Sequence, residues 1–309
     1  MSKRFLVLPH LKIHNANAMS SPYTIGFPAM TAWLGAVHAI QRKMHALDMP
    51  ELNCVQFVAT AISCHDFNLQ TYRGENDYVS SIVSTANPLD KDGNRPAFVE
   101  EARCHLEVTL LVEMRGLNPD HDAVLLEQVE TICKTMKFAS GDLLAMQKPQ
   151  CFKFYEDDKY IVSSYQKVVR HLMLGHVLIE RRDLMVAEMQ QGADALDAML
   201  NQLKIMHRAT QDENGKVTWT TSRKTKGWIV PISVGFQGIS TLEKAIEQRD
   251  ADTPHRFAEA VLTLGEFVLA YKISDSDYSI EDILWQYQAD IKNDLYLCQT
   301  QSSTHPVTL

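Results

Sequence analysis

Residues 4–14 read RFLVLPHLKIH, and their alternation of apolar and polar side chains has the two-residue period of a β-strand with one buried face. On this reading Phe5, Val7, Leu11 and Ile13 share the buried face, while His10, Lys12 and His14 lie opposite. Pro9 has no N–H to donate to a ladder, so an edge position or a bulge is expected there. The apolar run stops at Pro9 and charge returns at Lys12, which argues for a first strand and against a signal peptide. The strand runs into HNANAMSSPYTIGFP (14–28), a stretch of amides, small and hydroxylated residues and two prolines with no formally charged side chain. Such a loop suits close approach of the backbone to something flat or polyanionic.

Downstream, Met30, Trp33, Leu34, Val37, Ile40 and Met44 recur at helical spacing and predict an amphipathic helix from about 28 to 46. Pro28 suits its first turn, and Arg42 and Lys43 complement the dipole in its last. CVQFVATAISCHDF (54–67) is a buried strand. HLEVTLLVEM (105–114) is another, with Leu106, Val108, Leu110, Val112 and Met114 facing in and His105, Glu107, Thr109 and Glu113 facing out. Between them, about 67–103, a polar insertion carrying the turn-rich NPLDKDGNRP reads as a long projecting hairpin. HDAVLLEQVETICKTMKF (121–138) is helical, and PQCFKFY (149–155) and GHVLIER (175–181) are candidate strands.

The order β-α-β, hairpin, β-α-β is the split βαβ arrangement of a ferredoxin-like fold. The expectation is therefore an α+β protein with a ferredoxin-like (RRM-like) core over 1–182 and an inserted β-hairpin. A C-terminal α/β extension over 183–309 packs on it, with a helix over 183–206, a strand at GWIVPISVGF and helices near 254–271 and 279–293. Fold alone decides nothing about function.

At 309 residues, 45% hydrophobic and 22% charged, the composition is that of a globular chain. No run of about 18 apolar residues is present to span a membrane. The six cysteines are scattered with no C-x-x-C pair, which points to free thiols in a reducing compartment, by default the cytoplasm, and away from a disulfide scaffold or structural zinc. A net charge of −8 argues against nucleic acid, but its distribution does not. Residues 1–47 hold Lys3, Arg4, Lys12, Arg42 and Lys43 and no acid, and the window NGKVTWTTSRKTKGW (214–228) is also acid-free. Residues 273–309 tilt the other way, with six acids and one lysine. Asymmetry of this kind suggests one surface for an anion and another for different partners.

Two chemistries compete. His10 and His14 flanking Lys12 have the residue types of a metal-free ribonuclease, but no further basic or nucleophilic group stands at motif spacing to them. No P-loop, H-E-x-x-H or nucleophile elbow occurs, so no catalytic set, metal or cofactor is implied. A binding reading engages more residues. Asn15 and Asn17 can bond a base edge, or else close a turn. Ser20, Ser21 and Thr24 can donate to phosphates, Tyr23 offers a stacking face, and the helix N-terminus near Pro28 adds backbone donors. Lys224, Lys226 and Trp228 combine charge with stacking, as single-strand grooves do. Arg95 and Arg103, late in the insertion and at its end, complete the candidate RNA-contacting set.

LPHLKIHNANAMSSPYTIGFP with TAWLGAVHAIQR, then NPLDKDG, VEEARCHLEVTLL, GWIVPISVGF and TPHRFAEAVLTLGEF, resemble in order the family of second Csy subunits of type I-F CRISPR surveillance (Cascade) complexes, the 5′-handle-binding branch of the RAMP superfamily. The motifs span 6–267, with little resemblance over 115–226. The resemblance implies a RAMP core with a hairpin thumb and a non-catalytic subunit in antiviral defence that grips the 5′ handle of the CRISPR RNA. It implies a heterodimer with the large Csy subunit, contact with the repeated backbone subunit, and target DNA met only through the assembled complex. Handle-binding relatives in other subtypes cleave RNA, so a metal-independent endoribonuclease using His10, His14 or His105 is the alternative.

Overall fold

The computed structural model describes residues 2–83, 89–94, 101–246, 248, 250, 252–274 and 278–300. In the first half, β1 (Ser2–Asn17) leads through the small strands β2 (Met19–Ser21) and β3 (Thr24–Ile25) to α1 (Met30–His45). β4 (Gln56–Leu69) is followed by the short ribbon β5 (Thr71–Tyr72) and β6 (Ser81–Ile82), then by β7 (Arg103–Arg115) and α2 (Asp122–Cys133). β8 (Lys137–Phe138), β9 (Gly141–Ala145), β10 (Gln150–Tyr155), α3 (Ile161–Leu172) and β11 (His176–Glu180) complete this half.

β1 lies inside the sheet, with β7 on one side and β10 and β9 on the other, and β4 pairs the far edge of β7. The ladder slips between Leu8 and Leu11 and again between Ile13 and Ala16, where His10 (φ 51°) and Asn15 (φ 59°) take left-handed backbone. A bulge adds one residue and so reverses which side chains face the core. The helix-facing set is therefore Leu6 and Leu8, then Leu11 and Ile13, then Ala16 and Ala18. Phe5 and Val7 belong to the opposite face, so the expected grouping of these two with Leu11 and Ile13 is corrected: the strand is internal and a bulge at Pro9–His10, one of the two outcomes expected there, switches the faces. The extra residues lie on the neighbours β1 and β4, so β7 itself keeps its expected alternation, with Leu106, Val108, Leu110, Val112 and Met114 under α1 and α2.

The opposite face of the sheet is only half covered. Val168 and Leu172 of α3 pack on Phe5, Val7, Ala59, Ala61 and Leu111. Beyond the end of α3 the face is open, and His10, Lys12, His14, His65, His105 and Glu107 occupy it.

The second half contains α4 (Arg182–Met189), α5 (Ala195–Leu203), β12 (Met206–Gln211), β13 (Val217–Ser222) and β14 (Ile229–Gly238). β15 (Ala258–Leu269), α6 (Ile280–Ile283), β16 (Trp285–Asp290) and β17 (Leu295–Thr300) follow. Three helical expectations change here. The helix over 183–206 is broken at Gly192, whose φ of 97° only glycine adopts readily, and α5 restarts on an Asp194 cap. Where a helix over 254–271 is expected, residues 258–269 form the long strand β15, paired on its two edges by β14 and β11. Their largely apolar run, interrupted by Glu259, Thr263 and Glu266, fits a strand as well as a helix, and neighbouring strands decide between them. Of 279–293 only one helical turn remains, and the rest is β16 and the turn into β17.

All these C-terminal strands except the β12–β13 ribbon join β1, β4 and β7–β11 in a single 11-stranded sheet, and β2–β3 and β5–β6 form separate ribbons. β4 shares its outer edge between β16, at Thr60, and β11, at Ser63 and Cys64. Strands β4, β11, β15, β14, β17 and β16 thereby close a ring. Its interior is filled by Trp285, Phe267, Leu178, Ile232 and Cys298, continuous with the core beneath α1. Trp285 is fully buried and donates its indole N–H to the Leu178 carbonyl at 3.0 Å, so no buried donor is left unpaired there.

Candidate nucleic-acid interface

The uncharged loop after β1 is held from several sides. Asn17 donates its backbone N–H to Ala139 O at 2.8 Å, and Ala18 donates to Ala102 O at 2.9 Å. Phe27 plugs the loop's end into the core, stacking on Trp33 at 5.7 Å and meeting Phe267 edge-on at 5.2 Å. Gly141 stands directly behind, where a Cβ would lie 2.7 Å from His14 O and 2.8 Å from Ala16 N. α1 then begins without a side-chain cap and without an acid in its first turn.

A cleft of about 460 Å³ opens at that helix start, lined by Asn17, Ser20, Thr31, Ser140, Phe236, Tyr287 and Tyr296 among others. Its size is within the range of small-ligand and nucleotide sites. Tyr287 and Tyr296 have ring centroids 5.0 Å apart and, with Phe236, form an aromatic wall opposite the loop. Burial and the Tyr296 hydroxyl beside it raise the Tyr287 pKa well above the ordinary phenol value, so both rings stay neutral and able to stack. These three aromatics were not legible as site residues. They come from strands more than 200 residues downstream of the loop, two of them in segments that read as polar or helical.

The predicted residues divide by how their polar groups are used. Asn17 is occupied at both ends of its amide: Nδ2 donates to Met19 O (3.2 Å) and Oδ1 accepts from Met19 N–H (3.0 Å). Ser21 and Thr24 are buried and bond each other at 2.8 Å, Ser20 joins Thr24 at 3.0 Å, and Tyr23 N–H donates to Ser21 Oγ. Tyr23 itself is 79% exposed. Asn15 is exposed, its side chain bonded to Gln70 and its backbone N–H donated to His105 Nδ1 at 3.2 Å. Arg103 pairs with Glu101 and reaches the Asn15 carbonyl at 3.4 Å. Arg95 lies outside the described residues, as do 84–88 of the insertion.

Lys224 is paired with Glu188, whose carboxyl it holds below the ordinary range. Trp228 is half-exposed and meets His176 and Phe267, each at 5.2 Å. Lys226 is exposed. The basic window thus does not converge on the cleft. It forms the root and second strand of the exposed β12–β13 ribbon.

The open sheet face brings the histidines together. His14 stacks on His105 with centroids 4.0 Å apart, and His10 stacks on His65 at 4.5 Å. Glu107 accepts from His10 Nδ1 at 2.6 Å and lies 3.6 Å from Lys12. Burial and the stacked partner lower the pKa values of His65 and His105, so each pair resists carrying two protons. Thr109 accepts from His10 N–H (3.1 Å) and bonds His65 Nε2 (2.7 Å), which ties both rings to β7. No group of three or more His, Cys, Asp or Glu among the described residues is placed to hold a metal ion. Burial pushes the thiols of Cys64, Cys104, Cys133, Cys151 and Cys298 up to about 12, far from a thiolate at neutral pH.

Sheet, loop and cleft describe a mixed α+β protein built on antiparallel strands, with an uncharged loop facing an aromatic wall. The family model for the CRISPR-associated protein Cas_Csy2 matches residues 6–298. The CRISPR-associated protein Csy2 of Pseudomonas aeruginosa (strain UCBPP-PA14) is 32% identical over 324 residues, covering 96% of this chain and 94% of that protein. The chain belongs to the Cas_Csy2 family.

Proposed function

We propose that this chain is the non-catalytic, 5′-handle-binding subunit of a type I-F CRISPR surveillance complex, working in the cytoplasm as a heterodimer with the large Csy subunit beside the repeated backbone subunit. The observation that carries this reading is the family relationship, which runs along nearly the whole chain. The strand order β4-β7-β1-β10 with α1 and α2 on one face is the order a ferredoxin-like RAMP core requires, which supports the same reading. The cleft supports it chemically. An uncapped helix start and the hydroxyls of Thr31 and Ser140 suit phosphate, and a tyrosine wall suits a splayed base.

The test uses the chain co-purified with the large subunit. Tyr296→Ala weakens the cognate handle by about tenfold, as loss of one stacked base does, and changes a scrambled RNA less. Equal loss for both RNAs overturns handle recognition at this cleft. The ring contact between His14 and His105 keeps the endoribonuclease alternative specific. Cleavage of labelled repeat RNA at one position, abolished by His14→Ala, makes that alternative the function. Adding the large subunit raises the melting temperature of the chain, because a partner of the native state stabilises it by mass action.

A further inference from the structure

The β12–β13 ribbon is the one strand pair of the second half, among the described residues, that stands outside the main sheet, and all twelve of its strand residues are exposed. A two-stranded ribbon with no buried face is marginal in water, so its faces are surfaces for something else. The register sorts them. Met206 faces Ser222, Arg208 faces Thr220 and Thr210 faces Thr218, so these six share one side. His207 with Thr221, Ala209 with Trp219 and Gln211 with Val217 form the other. Lys216 and its neighbour across the turn, Asp212, continue the parity of the first side, which therefore carries Arg208, Lys216, three threonines, a serine and Met206, with one acid, Asp212, at its turn end.

The only acids of the ribbon, Asp212 and Glu213, sit in its turn, and Asp212 is held there by the N–H groups of Asn214 (3.0 Å) and Lys216 (2.8 Å). Among the described residues neither Arg208 nor Lys216 has an ion-pair partner, in contrast to Lys224 at the root, which is paired with Glu188. Thr210 and Thr220 donate to cross-strand carbonyls in long bonds of 3.3 and 3.4 Å, and their hydroxyl oxygens remain open as acceptors.

We propose that this even-numbered face docks the backbone of single-stranded RNA. In a chain of net charge −8, a face with two cations that have no ion-pair partner among the described residues, and whose one acid is engaged by backbone N–H groups, is complementary to phosphate. The hydroxyl row adds acceptors for the ribose 2′-OH, the group by which a protein distinguishes RNA from DNA. The proposal rests on the reading of the chain as an RNA-gripping subunit. It adds a second contact, formed by other residues than the cleft and blind to sequence.

The test measures binding of fluorescein-labelled oligouridylate to the full chain with its large-subunit partner, at several salt concentrations, with oligothymidylate alongside. Arg208→Ala and Lys216→Ala each weaken oligouridylate by about three- to tenfold and lower the magnitude of the salt slope by about 0.7 for each phosphate no longer neutralised. Arg208→Lys keeps the slope, and Trp219→Ala, on the reverse face, changes affinity less than about twofold. Unchanged Trp219 emission in Arg208→Ala shows the ribbon intact. Wild-type protein that binds RNA with no dependence on Arg208 or Lys216 overturns the docking face alone. Loss in Trp219→Ala without loss in Arg208→Ala assigns RNA to the other face and overturns it too. Oligothymidylate bound as tightly through the same residues makes the occupant single-stranded DNA. A wild type with no affinity for either handle or oligouridylate overturns the RNA reading itself.

Discussion

The loop at 15–28 and the β12–β13 ribbon look alike in one respect: each contains or adjoins an acid-free window rich in hydroxyl groups. In the fold they are opposites. The loop's serine and threonine hydroxyls and one of its two amides are satisfied internally, with Ser21 and Thr24 buried and Asn17 bonded twice to Met19. The ribbon's cations are unpaired and every strand residue is in solvent. Composition marks where a polyanion would be tolerated. Whether the side chains are free to meet one depends on what they already bond. On this comparison the loop is a shaped, prebuilt wall of a cleft, and the ribbon is a charged surface without shape.

The largest test attacks the loop from behind. Gly141→Ala places a Cβ against the backbone of His14 and Ala16, and overpacking there costs about 3 kcal/mol, read as a lower midpoint in urea. If the variant is as stable as wild type, the loop is softer than a prebuilt wall must be. Next, Thr24→Val removes the hydroxyl to which Ser20 and Ser21 bond and leaves Ser21 buried without that partner. A loss of about 1–3 kcal/mol is expected in the same assay, with RNA affinity following stability. No loss would mean that those hydroxyls are free for phosphate after all.

The two asparagines sharpen the contrast within the loop itself. Asn17→Ala loses two bonds to Met19 and costs about 1 kcal/mol of stability, weakening cognate handle and scrambled RNA alike. Asn15→Gly removes an exposed amide without straining the left-handed backbone, so stability is kept and the cognate handle alone weakens, by roughly tenfold or less. Indistinguishable behaviour of the two variants would assign both amides to the same role.

The smallest expected effect is one of pH. His105 accepts the Asn15 N–H, and burial together with His14 lowers its pKa in the fold. The unfolded chain therefore binds this proton at a higher pH than the folded one does. The contribution is present above the unfolded value near 6.5 and is lost as pH falls below it. His65 acts in the same direction. The melting temperature should be lower at about pH 5.5 than at about pH 7.5, and His105→Gln should narrow the gap without closing it. A gap unchanged in His105→Gln would remove this histidine from the loop's support.

Much of the first half was legible because its signals are local. The faces of β7 follow from an alternation that no bulge interrupts, and α1 follows from six apolar residues at helical spacing. Pro9 announced a bulge, but not the second one at Asn15, where no proline stands. The site was half legible. The loop was visible as a composition, whereas nothing in the sequence marked Phe236, Tyr287 and Tyr296 as its opposite wall.

By itself the sequence determined the period of each central element, the uncharged entry to α1 and the membership of a family. Tertiary structure decided which face each side of β1 presents, that 258–269 is a strand and not a helix, and which polar groups in the two acid-free windows remain unpaired. The physical reason is the reach of the interactions. Periodicity is a property of neighbours in the chain. A bulge, a buried strand's second edge and the partner that satisfies a hydroxyl or an ammonium come from residues tens to hundreds of positions away, and only the packed sheet brings them into contact.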